Sequence, residues 1–94
     1  MSNEKQVLAN IEGYRDLAIA LQRGLTAIPA LDPTSGGDGE WDKAEWLEAE
    51  LRRLPFDEIR RYDCPQPEAK HGLRPNLVCR YRGRDSSRTL WIMT

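Results

Sequence analysis

Apolar side chains recur at three- and four-residue steps over the first part of the chain. Val7, Leu8, Ile11, Tyr14, Leu17, Ala18, Leu21 and Leu25 form one stripe, which predicts a single helix over residues 3–27. Asn3 and Gln6 resemble a capping box at its start. Gly13 and Gly24 each weaken a helix by about 1 kcal/mol relative to Ala, so packing has to hold it. Pro29 ends it at or before Ile28. Trp41, Ala44, Leu47, Leu51 and Leu54 form a second stripe and predict a helix over 40–54, stopped by Pro55. Glu48 and Arg52 stand four apart on it in the favourable order. The intervening residues 29–39 hold two prolines and three glycines with no periodic face, and read as a loop. Asp38 is the expected N-cap of the second helix.

Three strand candidates follow. Residues 58–63 alternate poorly. Over 76–82, Leu77, Cys79 and Tyr81 alternate with Val78, Arg80 and Arg82, as a strand with one wet face does. Residues 83–87 form a turn cluster. Residues 89–94, Thr-Leu-Trp-Ile-Met-Thr, are almost continuously apolar, the pattern of a strand buried on both faces. Such a strand needs neighbours on both edges and cover on both faces. Two helices and two other strands do not supply them. The expected fold is therefore α/β: two N-terminal helices packed on a small partial sheet of two to three strands. Residues 1–94 would form a single partial domain, a fragment of a larger α/β catalytic domain.

Length sets the scale of any core. A compact chain of 10.8 kDa exposes about 5,500 Å² against about 15,700 Å² unfolded, burying about 65%. Hydrophobic residues at 39% and charged residues at 31% suit a folded soluble chain. No apolar run approaches the ~20 residues of a membrane span. The polar start Met1–Lys5 has no secretory pattern, so a cytoplasmic location and no membrane partner are expected. Net charge is -1, yet the halves differ. Residues 1–50 carry four Lys/Arg against ten Asp/Glu; residues 51–94 carry ten against five. Either the basic half meets a nucleic acid or the halves complement each other. The arginines are interleaved with apolar and acidic positions, and no nucleic-acid motif accompanies them, which argues against the former.

Little of the chain points to chemistry of its own. Cys64, His71 and Cys79 are too scattered for a structural zinc site. Nothing points to a disulfide, and two half-buried thiols are expected. The loop Thr34-Ser35-Gly36-Gly37 lacks a nucleophile elbow and is not followed by Lys-Ser/Thr. It lies between helices, which excludes the dinucleotide fingerprint. Two readings of it stay open: a plain linker, or the rim of a larger active site formed by Ser35, Gly36, Gly37, Asp38, Gly39 and Glu40. Asp38, Glu40 and Asp42 suit the positive end of a helix without any catalysis, and calcium spacing is absent. Trp41, Trp46 and Trp91 read as core or interface residues.

Read in order, several segments carry a resemblance. They are Ala27-Ile28-Pro29-Ala30, then Pro33-Thr34-Ser35-Gly36-Gly37-Asp38-Gly39-Glu40, then Leu51-Arg52-Arg53-Leu54. Gly72-Leu73-Arg74-Pro75-Asn76-Leu77-Val78 and Thr89-Leu90-Trp91-Ile92-Met93 complete the set. Together they resemble the N-terminal segment of the acetylornithine deacetylase / succinyl-diaminopimelate desuccinylase family. Those are co-catalytic zinc peptidases and amidohydrolases, with aminoacylases and glutamate carboxypeptidases among them. The resemblance spans essentially all 94 residues.

The resemblance implies a parent enzyme that hydrolyses N-acyl amino acid or peptide amide bonds. Its two zinc (or cobalt) ions, bridged by a water, would be held partly by a His-x-Asp motif running on from a strand like 89–94. A later glutamate would act as general base. All these residues would lie after Thr94, so no catalytic or metal-binding residue is expected in this chain, and residues 1–94 alone are expected to be inactive. The implied partner is the remainder of the parent enzyme, with self-association through an exposed strand edge. The alternative is a small α/β interaction module that pairs with another protein through its last strand. A nucleic-acid binder ranks below both.

Overall fold

The apolar stripe of the first segment folds as two helices rather than one. The computed structural model describes residues 2–94. Helix α1 spans Ser2–Gly13 and helix α2 spans Arg15–Ala27. The predicted single helix over 3–27 breaks at Tyr14 (φ -97°, ψ 4°), whose amide reaches back only three residues to the Ile11 carbonyl at 3.0 Å. The adjacent Gly13 lowers the cost of the break, and no side chain packs on it to hold the turn straight. At the far end Ile28 is already extended, as a residue before proline must be.

A short 3₁₀ turn at Pro33–Ser35 leads to helix α3, Trp41–Leu51. The predicted helix over 40–54 loses Glu40 at its start, which becomes the N-cap, and residues 52–54 at its end, where the last turn tightens. The Arg53 and Leu54 amides bond three residues back, to the Glu50 and Leu51 carbonyls. Glu40, not Asp38, occupies the N-cap, and its side chain caps nothing.

Four short strands make two antiparallel pairs. β1 (Glu58–Arg61) pairs with β4 (Leu77–Arg80) in the register Glu58↔Arg80, Ile59↔Cys79, Arg60↔Val78, Arg61↔Leu77. β2 (Cys64–Pro65) pairs with β3 (Leu73–Arg74). The ladder is extended by the Asp57 amide to the Arg80 carbonyl and the Tyr62 amide to the Asn76 carbonyl, both 2.9 Å. Helix α2 packs on α3, and α3 lies against β4. The outcome is a small α/β arrangement of three helices and two antiparallel strand pairs.

The third predicted strand does not form. Residues 89–94 have no regular structure, and Leu90, Trp91, Ile92 and Met93 are 71–91% exposed. A strand exists only through a hydrogen-bonded neighbour, and none of the described strands pairs with this segment. The core is correspondingly thin: Ala69 and Pro75 are the only buried apolar side chains among the described residues. The surface is 8,241 Å² against about 5,500 Å² for a compact chain of this mass. The radius of gyration is 16.5 Å against about 12 Å. No helix among the described residues is long and apolar enough to cross a membrane.

Candidate functional site

The glycine-rich loop is a closed, hydrogen-bonded turn. Asp32 opens it: one carboxylate oxygen accepts from both the Thr34 amide and the Thr34 hydroxyl at 2.9 Å. These two bonds hold the Asp32 carboxyl below its usual pKa, the amide contributing most. Pro33 supplies the fixed φ of the first turn position. Gly36 closes the turn at φ +85°, in the left-handed region that glycine enters without penalty. The Gly37 amide then donates to the Asp32 carbonyl (3.1 Å) and the Gly39 amide to the Leu31 carbonyl (2.9 Å). A β-carbon on Gly37 would sit 2.1 Å from the Leu31 carbonyl oxygen, so only glycine lets the two passes of backbone meet.

The loop's far end is clasped by the segment before β3. Gly39 is buried with φ +90° against the methyl of Ala69, and the Lys70 amide donates to the Asp38 carbonyl at 2.7 Å. The Lys70 ammonium continues the clasp to Asp42 at 2.8 Å, which raises its pKa. Arg74 reaches Glu40 at 3.5 Å. The six residues from Ser35 to Glu40 therefore lie together. Gly37, Asp38 and Gly39 are tied by backbone bonds and Glu40 by its ion pair, with Gly39 buried and Asp38 exposed. Ser35 and Gly36 form the exposed tip.

Beside this clasp lies a cluster that the sequence reading did not assemble. The Arg61 guanidinium stacks 4.5 Å over the Trp41 ring. It bonds Glu45 and also reaches Glu48 and Asp63, both at 3.3 Å. The Glu45 bond is the main cause of its raised pKa. One of its terminal nitrogens, Nη2, is buried without a partner. His71, at the unusual φ of +59°, sets its ring centroid 4.5 Å from that of Trp41, tilted by 53°. A signal for the cluster existed: Trp41, Glu45 and Glu48 share one helical face by their spacing, and Arg61 and Asp63 share one strand face.

Chemically, this region is neutralised rather than poised. Glu40, Asp42, Glu45, Glu48 and Asp63 already have cationic partners. Among the described residues no group of three His, Cys, Asp or Glu side chains is placed to hold a metal ion. Cys64 and Cys79 are free thiols. Cys64 is exposed, against the half-burial expected of it, because β2 is a two-residue edge strand with both positions open to solvent. Half-burial pushes the Cys79 thiol pKa up. The chain matches no family model, no curated protein and no solved structure.

Proposed function

We propose that this chain is the N-terminal segment of a two-metal amidohydrolase or peptidase acting on N-acyl amino acid or peptide amide bonds. It would serve as scaffold, with the metal ligands and the general base supplied by residues beyond Thr94. The reading rests on its resemblance to the acetylornithine deacetylase / succinyl-diaminopimelate desuccinylase family. The observation that supports it best is the segment Leu90–Met93. Four consecutive large apolar side chains stand in solvent, while β4 has only β1 as a hydrogen-bonded neighbour. A segment of that composition is stable when sheet neighbours and covering helices remove it from water. The family supplies such surroundings. The Ser35–Glu40 turn would then stand near the active-site mouth. Two free thiols suit a reducing compartment, and the proposal is of a cytoplasmic enzyme.

The same segment favours a second reading, an interaction module that adds this strand to a partner's sheet. Reading the coding sequence just past Thr94 separates the two. A His-x-Asp within three or four codons supports the hydrolase. A stop codon there sinks it and leaves partner pairing as the leading idea.

A further inference from the structure

The fold sorts the basic residues of the second half into two sets. Arg52, Arg53, Arg60, Arg61, Lys70 and Arg74 each pair with a carboxylate. The other four, Arg80, Arg82, Arg84 and Arg88, fall in one short stretch at the end of β4 and beyond it. All four are exposed, and none is among the ion pairs of the described residues. The carboxylates beside them are engaged elsewhere. Glu58 stands opposite Arg80 in the β1–β4 register but pairs with Arg60. Asp57 accepts from the Arg82 amide at 2.6 Å, and Asp85 accepts from the Ser87 amide at 2.9 Å. Tyr81, between two of these arginines, is 70% exposed.

We propose that residues 80–88 bind single-stranded nucleic acid, with the four guanidiniums on phosphates and the Tyr81 ring stacked on an unpaired base. In sequence the arginines are interleaved with acidic positions, which argues against such a patch. In the fold those carboxylates are held by the other basic residues or by backbone amides, and a cationic stretch is left over. Its charge calls for an anionic partner. Its spacing calls for an extended one, since positions 80, 82 and 84 spread over up to about 13 Å of chain. Guanidiniums take phosphate oxygens in forked pairs of hydrogen bonds. An exposed ring among them stacks on any base without reading its sequence. A duplex hides the faces of its bases, and residues 81–88 offer no helix or strand to a groove, which favours single strands. An acidic peptide would satisfy the arginines but leave Tyr81 with no base to stack on. The proposal does not rest on the hydrolase reading, because residues 80–88 precede the apolar segment used there.

Fluorescence anisotropy of a labelled oligouridylate titrated with the 94-residue chain tests it. Saturable binding at low salt is expected. Four neutralised phosphates predict a slope of about -3 in log affinity against log salt, or roughly a fiftyfold loss between about 50 and 200 mM. Substituting Arg82→Gln and Arg84→Gln together should make that slope shallower by about 1.4. Tyr81→Ala should weaken binding about tenfold and leave the slope unchanged, since stacking releases no counterions. Arg53→Gln, whose guanidinium already pairs with Glu50, should change neither. Residues 81, 82 and 84 lie outside the helices and strands, so these variants keep the fold, and unchanged circular dichroism checks this. Absence of binding at low salt overturns the proposal. So does a slope that the arginine substitutions leave unmoved, or a Tyr81→Ala chain that binds as tightly as the original. Equal competition by polyglutamate would make the partner an acidic peptide, and equal affinity for duplex DNA would remove the single-strand preference; either result also overturns it.

Discussion

Two glycines in one predicted helix have opposite surroundings. Gly24 lies against Trp46, and a β-carbon there would stand 2.1 Å from the indole ring; around Gly13 there is nothing within 4 Å. Gly24→Ala therefore gains helix propensity but forces apart the α2–α3 contact, and is expected to destabilise the fold by about 1–2 kcal/mol. Gly13→Ala is expected to stabilise by about 0.5–1 kcal/mol and raise helix content across Tyr14. Chemical denaturation of both variants reads the contrast, and equal signs would refute it. Asp32 gives a pH-dependent counterpart. Its folded pKa lies below the ordinary aspartate value through its bonds to Thr34, the amide first. Its contribution to stability is thus present above the unfolded pKa and fades as pH falls through the folded one. Carboxyl NMR should titrate Asp32 below an ordinary aspartate. Thr34→Ala should move the midpoint only part of the way back, because the amide bond remains. No movement would mean that the hydroxyl contributes nothing.

At the level of elements, most boundaries follow from local rules. Pro29 and Pro55 end helices through sterics that need no tertiary knowledge, and alternation over 76–82 gives β4 within two residues at each end. β2 and β3 were not legible. Two residues each, one of them Pro65, carry no periodicity, and they meet through the irregular turn between them, in which the Gln66 amide donates to the Gly72 carbonyl and the Gly72 amide to the Ala69 carbonyl. The segment 89–94 was legible as apolar but not as unpaired, since composition reports what a segment would bury and not whether a neighbour is there. The Ser35–Glu40 turn was legible through its glycines. The Arg61 cluster was not, because it joins residues 16 positions apart in sequence. Helix α1 carries an element-scale prediction. Twelve residues are too few for a stable isolated helix. In dilute solution its amides are expected to exchange as fast as an unstructured peptide's, while those of Arg60 and Val78 in the β1–β4 ladder are protected. Equal protection in both places would contradict this.

Across the whole molecule, the surface sets what denaturation can report. The folded chain keeps 8,241 Å² exposed, so unfolding uncovers about a quarter less area than for a compact chain of this mass. The dependence of unfolding free energy on urea scales with that area. Its slope for the monomer is expected to fall about a quarter below that of compact 94-residue domains. A slope at the compact value would mean that the apolar tail and α1 are covered in solution.

The opposite charges of the two halves meet across the fold: Glu45 and Glu48 with Arg61, Asp42 with Lys70, and Glu40 with Arg74. The chain thus behaves as two oppositely charged polymers joined end to end, an acidic helical arm and a basic hairpin arm. The peptide link through the exposed turn at Arg52–Arg53 is one of several ties between them. The arms can find each other by long-range attraction before any apolar contact forms. Dissolved ions, by screening that attraction, act on how quickly the two arms meet.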